Sequence, residues 1–163
     1  MTTSVLFVCL GNICRSPMAE GVMRSIVADA GLEAEIVIDS AGTGGWHQGD
    51  PPDRRATDEA GRRGIDLTGL RCRKVTPGDL DRFDLVVAMD ADNVVALRAL
   101  ADDDGSLAKI RLLREFDPAA VEAGELEVPD PYYDGPDGFV HVFDLVDAAC
   151  RGLLAHLEAA GRP

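Results

Sequence analysis

The junction at residues 9 to 17 constrains this chain more than any other stretch. Ser4–Cys9 (SVLFVC) is an unbroken apolar run, as expected of a strand covered on both faces. It passes without a linker into Leu10-Gly11-Asn12-Ile13-Cys14-Arg15 and then Ser16-Pro17. Ser-Pro reads as a helix N-cap followed by the first helical residue. Beyond it Val22, Met23, Ile26, Val27 and Ala30 recur at helical spacing as far as Gly31, a stop signal. A buried strand, a short glycine-bearing loop and a capped helix open a parallel α/β sheet.

The alternation continues. Glu35–Asp39 (EIVID), Leu85–Met89 (LVVAM) and Lys109–Leu113 (KIRLL) read as further strands. Helices are expected over about 53–63, 91–100 and 138–160, with a short helical turn capped by Thr76-Pro77. The solvated run Asp102-Asp103-Asp104-Gly105 ends the second of these, and Asp39–Pro52 is loop. Residues 114–136 show no firm period, and so long an irregular stretch in a small domain points to function or disorder. The expectation is a single α/β domain over residues 1–163, a parallel sheet with helices on both faces. Such folds bind ligands beyond the carboxyl ends of their strands, and the first such end is Cys9.

With 29 acidic against 16 basic residues the formal charge is -13, the wrong sign for a nucleic-acid or anionic-membrane partner. No apolar run approaches the about 20 residues of a membrane span. The start Met1-Thr2-Thr3-Ser4 lacks the basic flank of a signal peptide, so cytoplasmic residence is expected. The 4 cysteines form no CxxC pair, and the 3 histidines, His47, His141 and His156, sit near no cysteine at zinc-ligand spacing. A structural metal is therefore not expected, and 163 residues need no disulfide to fold.

Five residues separate Cys9 from Arg15. Between a strand end and a helix start, a chain reversal exposes a row of backbone N–H groups, which with the helix N-terminus make an anion site. Gly11 permits the reversal. A thiolate at the floor of such a site can attack phosphorus, and Arg15 offers a planar fork to two phosphate oxygens. Ser16 adds a hydroxyl near the thiolate, or serves only as the N-cap. A nucleotide loop would need two spaced glycines and a Lys-Ser/Thr pair, which this segment lacks.

CLGNICRSP at residues 9–17 closely resembles the signature loop of low molecular weight protein tyrosine phosphatases. The likeness extends to Asp39-Ser40-Ala41-Gly42, Trp46, Pro52-Asp53, Arg55, Met89-Asp90 and Asp130-Pro131-Tyr132-Tyr133, in family order along the chain. The resemblance implies a four-stranded parallel sheet of order 2-1-3-4, no cofactor and no metal. It implies Cys9 as nucleophile, Arg15 as phosphate clamp and Asp130 as general acid. The loop residues Gly11, Asn12, Ile13, Cys14 and Ser16 would hold the phosphate. Leu10, Trp46, Tyr132 and Tyr133 would wall a pocket for an aromatic phosphate, and Asn12 and Ser40 would hold the loop in shape. Tyrosine-phosphorylated proteins are the implied partners of a monomeric enzyme. One departure stands out. Many relatives brace the loop asparagine with a histidine near Leu70, which cannot hydrogen-bond, so Asn12 needs other support here.

Read without the family, Asp130 lies in the irregular stretch beside aromatic residues that would desolvate it, although Asp-Pro is also a common turn opener. Cys150 falls on the apolar stripe of the last helix and reads as core. Cys72, among Arg71, Arg73 and Lys74, suggests no role. His47 reads as loop, near the pocket mouth at most. Arsenate reduction would need a relay of further thiols, for which Cys72 and Cys150 are too isolated. Ile13 favours a phenyl ring over the guanidinium of a phosphoarginine. A non-catalytic phosphoprotein-binding module would need neither Asp130 nor an ionised thiol.

Overall fold

The computed structural model describes residues 1–161. Four strands, β1 (Thr3–Cys9), β2 (Ile36–Gly42), β3 (Leu85–Ala88) and β4 (Ile110–Leu112), form one parallel sheet in the order β2-β1-β3-β4. The apolar run at the N-terminus is one of its two inner strands, β3 being the other. Val5, Phe7 and Cys9 face one layer, made by α1 (Arg15–Asp29), α2 (Arg54–Arg62) and α7 (Pro136–Ala159). Leu6 and Val8 face the other, made by α3 (Pro77–Arg82) and α4 (Ala91–Leu100). A strand buried on both faces cannot alternate, which is why residues 4–9 carry no polar face.

Cys150 is fully buried on α7, as the stripe predicts. The same helix crosses a 3-10 turn, Leu113–Phe116, so closely that a Cβ on Gly152 would collide with the Phe116 carbonyl oxygen. Glycine is there for proximity, because its φ is not positive.

Four local expectations change. Residues 40–42, expected as loop, continue β2 as far as Gly42, because their backbone pairs with β1. Ser16 is not the N-cap of α1. The helix begins at Arg15, Cys14 occupies the cap, and no side chain bonds the first amides. Asp103 does not merely end α4. Its carboxylate accepts from the Ser106 amide at 2.7 Å and starts a short helix, α5 (Asp104–Ala108). Much of residues 114–136 is ordered by the 3-10 turn and by α6 (Pro118–Ala123), which Asp117 caps and Gly124 closes at φ 70. Segments of four to six residues are too short to show a period.

Candidate active site

The loop from Cys9 to Ser16 joins β1 to α1 at the carboxyl edge of the sheet. Asn12 has φ 57, and among the described residues no other non-glycine residue has a positive φ. Asparagine tolerates this region better than most residues, yet holding it there has a cost of order 1–3 kcal/mol. Its side chain is fully used. Oδ1 accepts from the Arg73 amide at 2.9 Å, and Nδ2 donates to Ser16 Oγ at 2.8 Å and Ser40 Oγ at 3.0 Å. The Arg73 amide thus gives the support that Leu70 cannot. Leu70 packs against the core instead.

The loop is latched from outside. The carbonyls of Cys9, Leu10 and Ile13 accept from the amides of Thr43, Gly44 and Asp53 at 2.8–2.9 Å. Gly42 lets β2 come this close: a Cβ there would lie 2.9 Å from the Leu10 carbonyl oxygen. By contrast, the amides of Gly11 to Arg15 find no acceptor among the described residues. Five successive amides left open around a cysteine make a nest for an anion.

Cys9 is buried, with Sγ 3.0 Å from Ser16 Oγ. The bonds behind it run in one direction. Buried Glu20 is fixed by Arg24 and accepts from Ser40 Oγ at 2.7 Å. Ser40 and Ser16 each accept one hydrogen from Asn12 Nδ2. The Ser16 hydroxyl is left to donate, and Cys9 Sγ is nearer than its alternative, the Ala41 carbonyl at 3.4 Å. The hydroxyl thus has the Cys9 sulfur as its nearest acceptor.

Arg15 is buried opposite. Its Nη1 donates to Asp90 Oδ2 at 2.6 Å and to the Val128 carbonyl at 3.0 Å, while Nη2 stands 3.7 Å from Asp130 Oδ2. Nε and Nη2 remain as a free edge for a bidentate anion. Burial works against the guanidinium charge, but Cys9, Asp90 and Asp130 outweigh it and hold Arg15 above the ordinary arginine value. Asp90 uses its other oxygen, Oδ1, to cap α4 through the Asn93 amide at 2.8 Å.

A cavity of about 270 Å³ opens above the loop. Cys9, Gly11, Ile13, Cys14 and Arg15 form its floor. Leu10, Trp46, His47, Tyr132 and Tyr133 form its walls, and Asp130 stands at its side. The walls are strongly exposed for apolar residues, Trp46 at 71% and Tyr133 at 95%. Tyr132 meets Tyr133 edge-on at 5.0 Å, and Arg55 lies 5.3 Å over Tyr132 and 4.6 Å over Phe139. Arg55 is held by Asp53, the N-cap of α2.

Most expected site residues meet here, with differences. Asn12, Ser16 and Ser40 do not line the cavity; their side chains belong to the network beneath it. The Asp130 side chain is 47% exposed, so aromatic neighbours do not desolvate it as expected. His47 does line the cavity. Sequence reading missed the parts played by Glu20 and Asp90, and by Cys72 and Arg73. A glutamate one helical turn after Ser16, on the face that packs inward, was the available signal for Glu20. Cys72 and Arg73 carry none, because they reach the loop from sixty residues away by tertiary contact.

Among the described residues no group of three His, Cys, Asp or Glu side chains is arranged to hold a metal ion. The family model for low molecular weight phosphotyrosine protein phosphatase matches residues 4–162. A low molecular weight protein-tyrosine-phosphatase of Streptomyces coelicolor is 52% identical over 155 residues, 95% of this chain and 93% of that protein. The crystal structure of a protein tyrosine phosphatase from Entamoeba histolytica superposes with TM-score 0.91 at 37% identity, covering 98% of this chain and 99% of that one. That of YfkJ from Bacillus subtilis gives TM-score 0.90 at 42% identity, covering 98% and 97%. A buried cysteine set in an amide nest, a buried arginine facing it and these likenesses lead to one conclusion: the chain belongs to the low molecular weight protein tyrosine phosphatases, cysteine-dependent hydrolases of phosphotyrosine.

Proposed function

We propose that the chain removes phosphate from tyrosine-phosphorylated proteins with Cys9 as nucleophile, Arg15 as clamp and Asp130 as general acid. The observation that carries this assignment is the run of open amides, Gly11 to Arg15, around Cys9 Sγ with the free edge of Arg15 opposite. The thiolate attacks phosphorus, an S–P bond forms, and the bond from phosphorus to the phenolic oxygen breaks. Asp130 gives that oxygen its proton. The amides and Arg15 hold the three equatorial oxygens, where charge is concentrated. Water then attacks phosphorus, Asp130 takes its proton, and Cys9 leaves as thiolate with the Ser16 hydroxyl beside it.

Leu10, Trp46, Tyr132 and Tyr133 accept the phenyl ring, and Ile13 keeps the floor apolar. The same surface favours phosphotyrosine over phosphoarginine, whose guanidinium would be left without a partner. The charge of -13 supports partners other than nucleic acid or anionic membrane. Four free thiols support residence in the reducing cytoplasm, and we read the chain as one monomeric catalytic domain. Rapid acid quench with labelled aryl phosphate tests the assignment. Label on Cys9 is expected and should vanish in Cys9→Ser, whereas label on a serine or histidine overturns it.

A further inference from the structure

We propose that Cys72 is a positioning residue for the phosphate loop, whose thiol holds the Asn12 carbonyl outward and so aims the Ile13 amide at the bound phosphate. The link between the two groups is covalent. The Asn12 carbonyl and the Ile13 N–H share one planar trans peptide and point in opposite directions. Whatever fixes the oxygen outside the loop fixes the hydrogen inside it.

Cys72 Sγ lies 2.8 Å from that oxygen. The carbonyls of Cys9, Leu10 and Ile13 are held by backbone amides, but among the described residues no amide reaches that of Asn12. The thiol is its sole donor, at the residue whose φ of 57 most needs holding. Cys72 is itself fixed. Its amide donates to the Asp50 carbonyl, and its own carbonyl accepts from Gly49, both at 2.8 Å. The next residue, Arg73, gives its amide to Asn12 Oδ1, so two consecutive residues grip Asn12 at backbone and side chain. The other acceptor in reach of the thiol, the Pro51 carbonyl at 3.8 Å, is too distant to compete. Burial first, and then the Asp50 carboxylate, push the Cys72 thiol up to about 11, so it keeps its proton near neutral pH. It is buried as well, so it serves as a donor and not as a second nucleophile.

The test compares Cys72→Ala, which removes the donor, with Cys72→Ser, which keeps one. Competitive inhibition by inorganic phosphate is the readout, because phosphate tests the amide nest without the chemical step. Cys72→Ala should raise the phosphate Ki roughly tenfold. Cys72→Ser should restore it to within about threefold of wild type, whatever either does to melting temperature. Wild-type Ki in Cys72→Ala, with melting temperature lowered equally in both variants, would show a packing residue only and overturn the proposal. Infrared spectra of the intact wild type give an independent check. The S–H band lost in Cys72→Ser should lie at lower frequency than that of Cys150, whose nearest acceptor is 3.9 Å away. Coincident bands would equally overturn it.

Discussion

Asp90 holds Nη1 of Arg15 at 2.6 Å and thereby decides which edge of the guanidinium is left without a hydrogen bond. Asp90→Asn keeps the helix-capping oxygen, since asparagine caps as well as aspartate, but it removes the charged clamp. A hydrogen bond to a charged group contributes about 1.5–3 kcal/mol, so kcat/KM should fall roughly 10- to 100-fold with melting temperature nearly unchanged. Steady-state kinetics beside a melting curve checks both halves.

Asp130→Asn should slow turnover by roughly 10²–10⁴-fold for phenols that leave poorly. The loss should shrink as the leaving phenol becomes more acidic, because a good leaving group needs no proton. A series of substituted phenyl phosphates measures the slope. An equal loss across the series would mean that Asp130 only shapes the cavity wall.

Ser16→Ala should slow release of Cys9 from phosphorus more than it slows attack, because the hydroxyl 3.0 Å from Sγ stabilises the departing thiolate. With the second step slower, the pre-steady-state burst of phenol should grow while kcat drops about tenfold. Glu20→Gln should act in the same direction with smaller size, since it loosens the far end of the same chain of bonds. Stopped-flow burst amplitudes separate these outcomes from a simple loss of binding.

Peroxide should inactivate the enzyme reversibly through a Cys9–Cys14 disulfide. Burial, Asp53 and Cys9 itself push the Cys14 thiol well up, so Cys14 is not the thiol that oxidises first. Cys14 should instead resolve the Cys9 sulfenic acid before further, irreversible oxidation. Dithiothreitol should restore wild type but not Cys14→Ser after prolonged exposure. Equal recovery of both, or a Cys9–Cys72 bridge in the mass spectrum, counts against this.

Asp79 ties Arg73 in place from below the loop. Burial opposes its charge, but bonds from Arg73 and Thr76 outweigh that and hold it below the ordinary aspartate range. Its stabilisation is therefore present above the unfolded aspartate value of about 3.9 and is lost as pH falls through its lower folded value. Asp79→Asn should lower the melting temperature at pH 7, and the gap from wild type should close towards pH 3.

Strands and long helices were legible because burial on two faces, or on one stripe, writes itself into five or more residues, as in Ser4–Cys9 and in the Phe139–Leu157 stripe of α7. The cysteine, the arginine and the walls of the cavity were legible through a nine-residue motif and its distant companions. Asn12 and Ser40 came with the same resemblance, but the groups that brace Asn12 from behind did not. Arg73 supports Asn12 through a backbone amide, which any residue but proline carries, so no side-chain pattern could announce it. Ser16 misled because a serine before a proline has two uses, and the cap geometry that separates them depends on where the loop ends.

Arg15 meets the Val128 carbonyl across 113 residues of sequence. Cys9 and Arg15 are synthesised more than a hundred residues before Val128, which orients the arginine, and Asp130, the proposed proton donor. A nascent chain thus carries an unarmed cysteine while the intervening hundred residues are made, and the proposed site can assemble only after the segment around Val128–Asp130 has emerged.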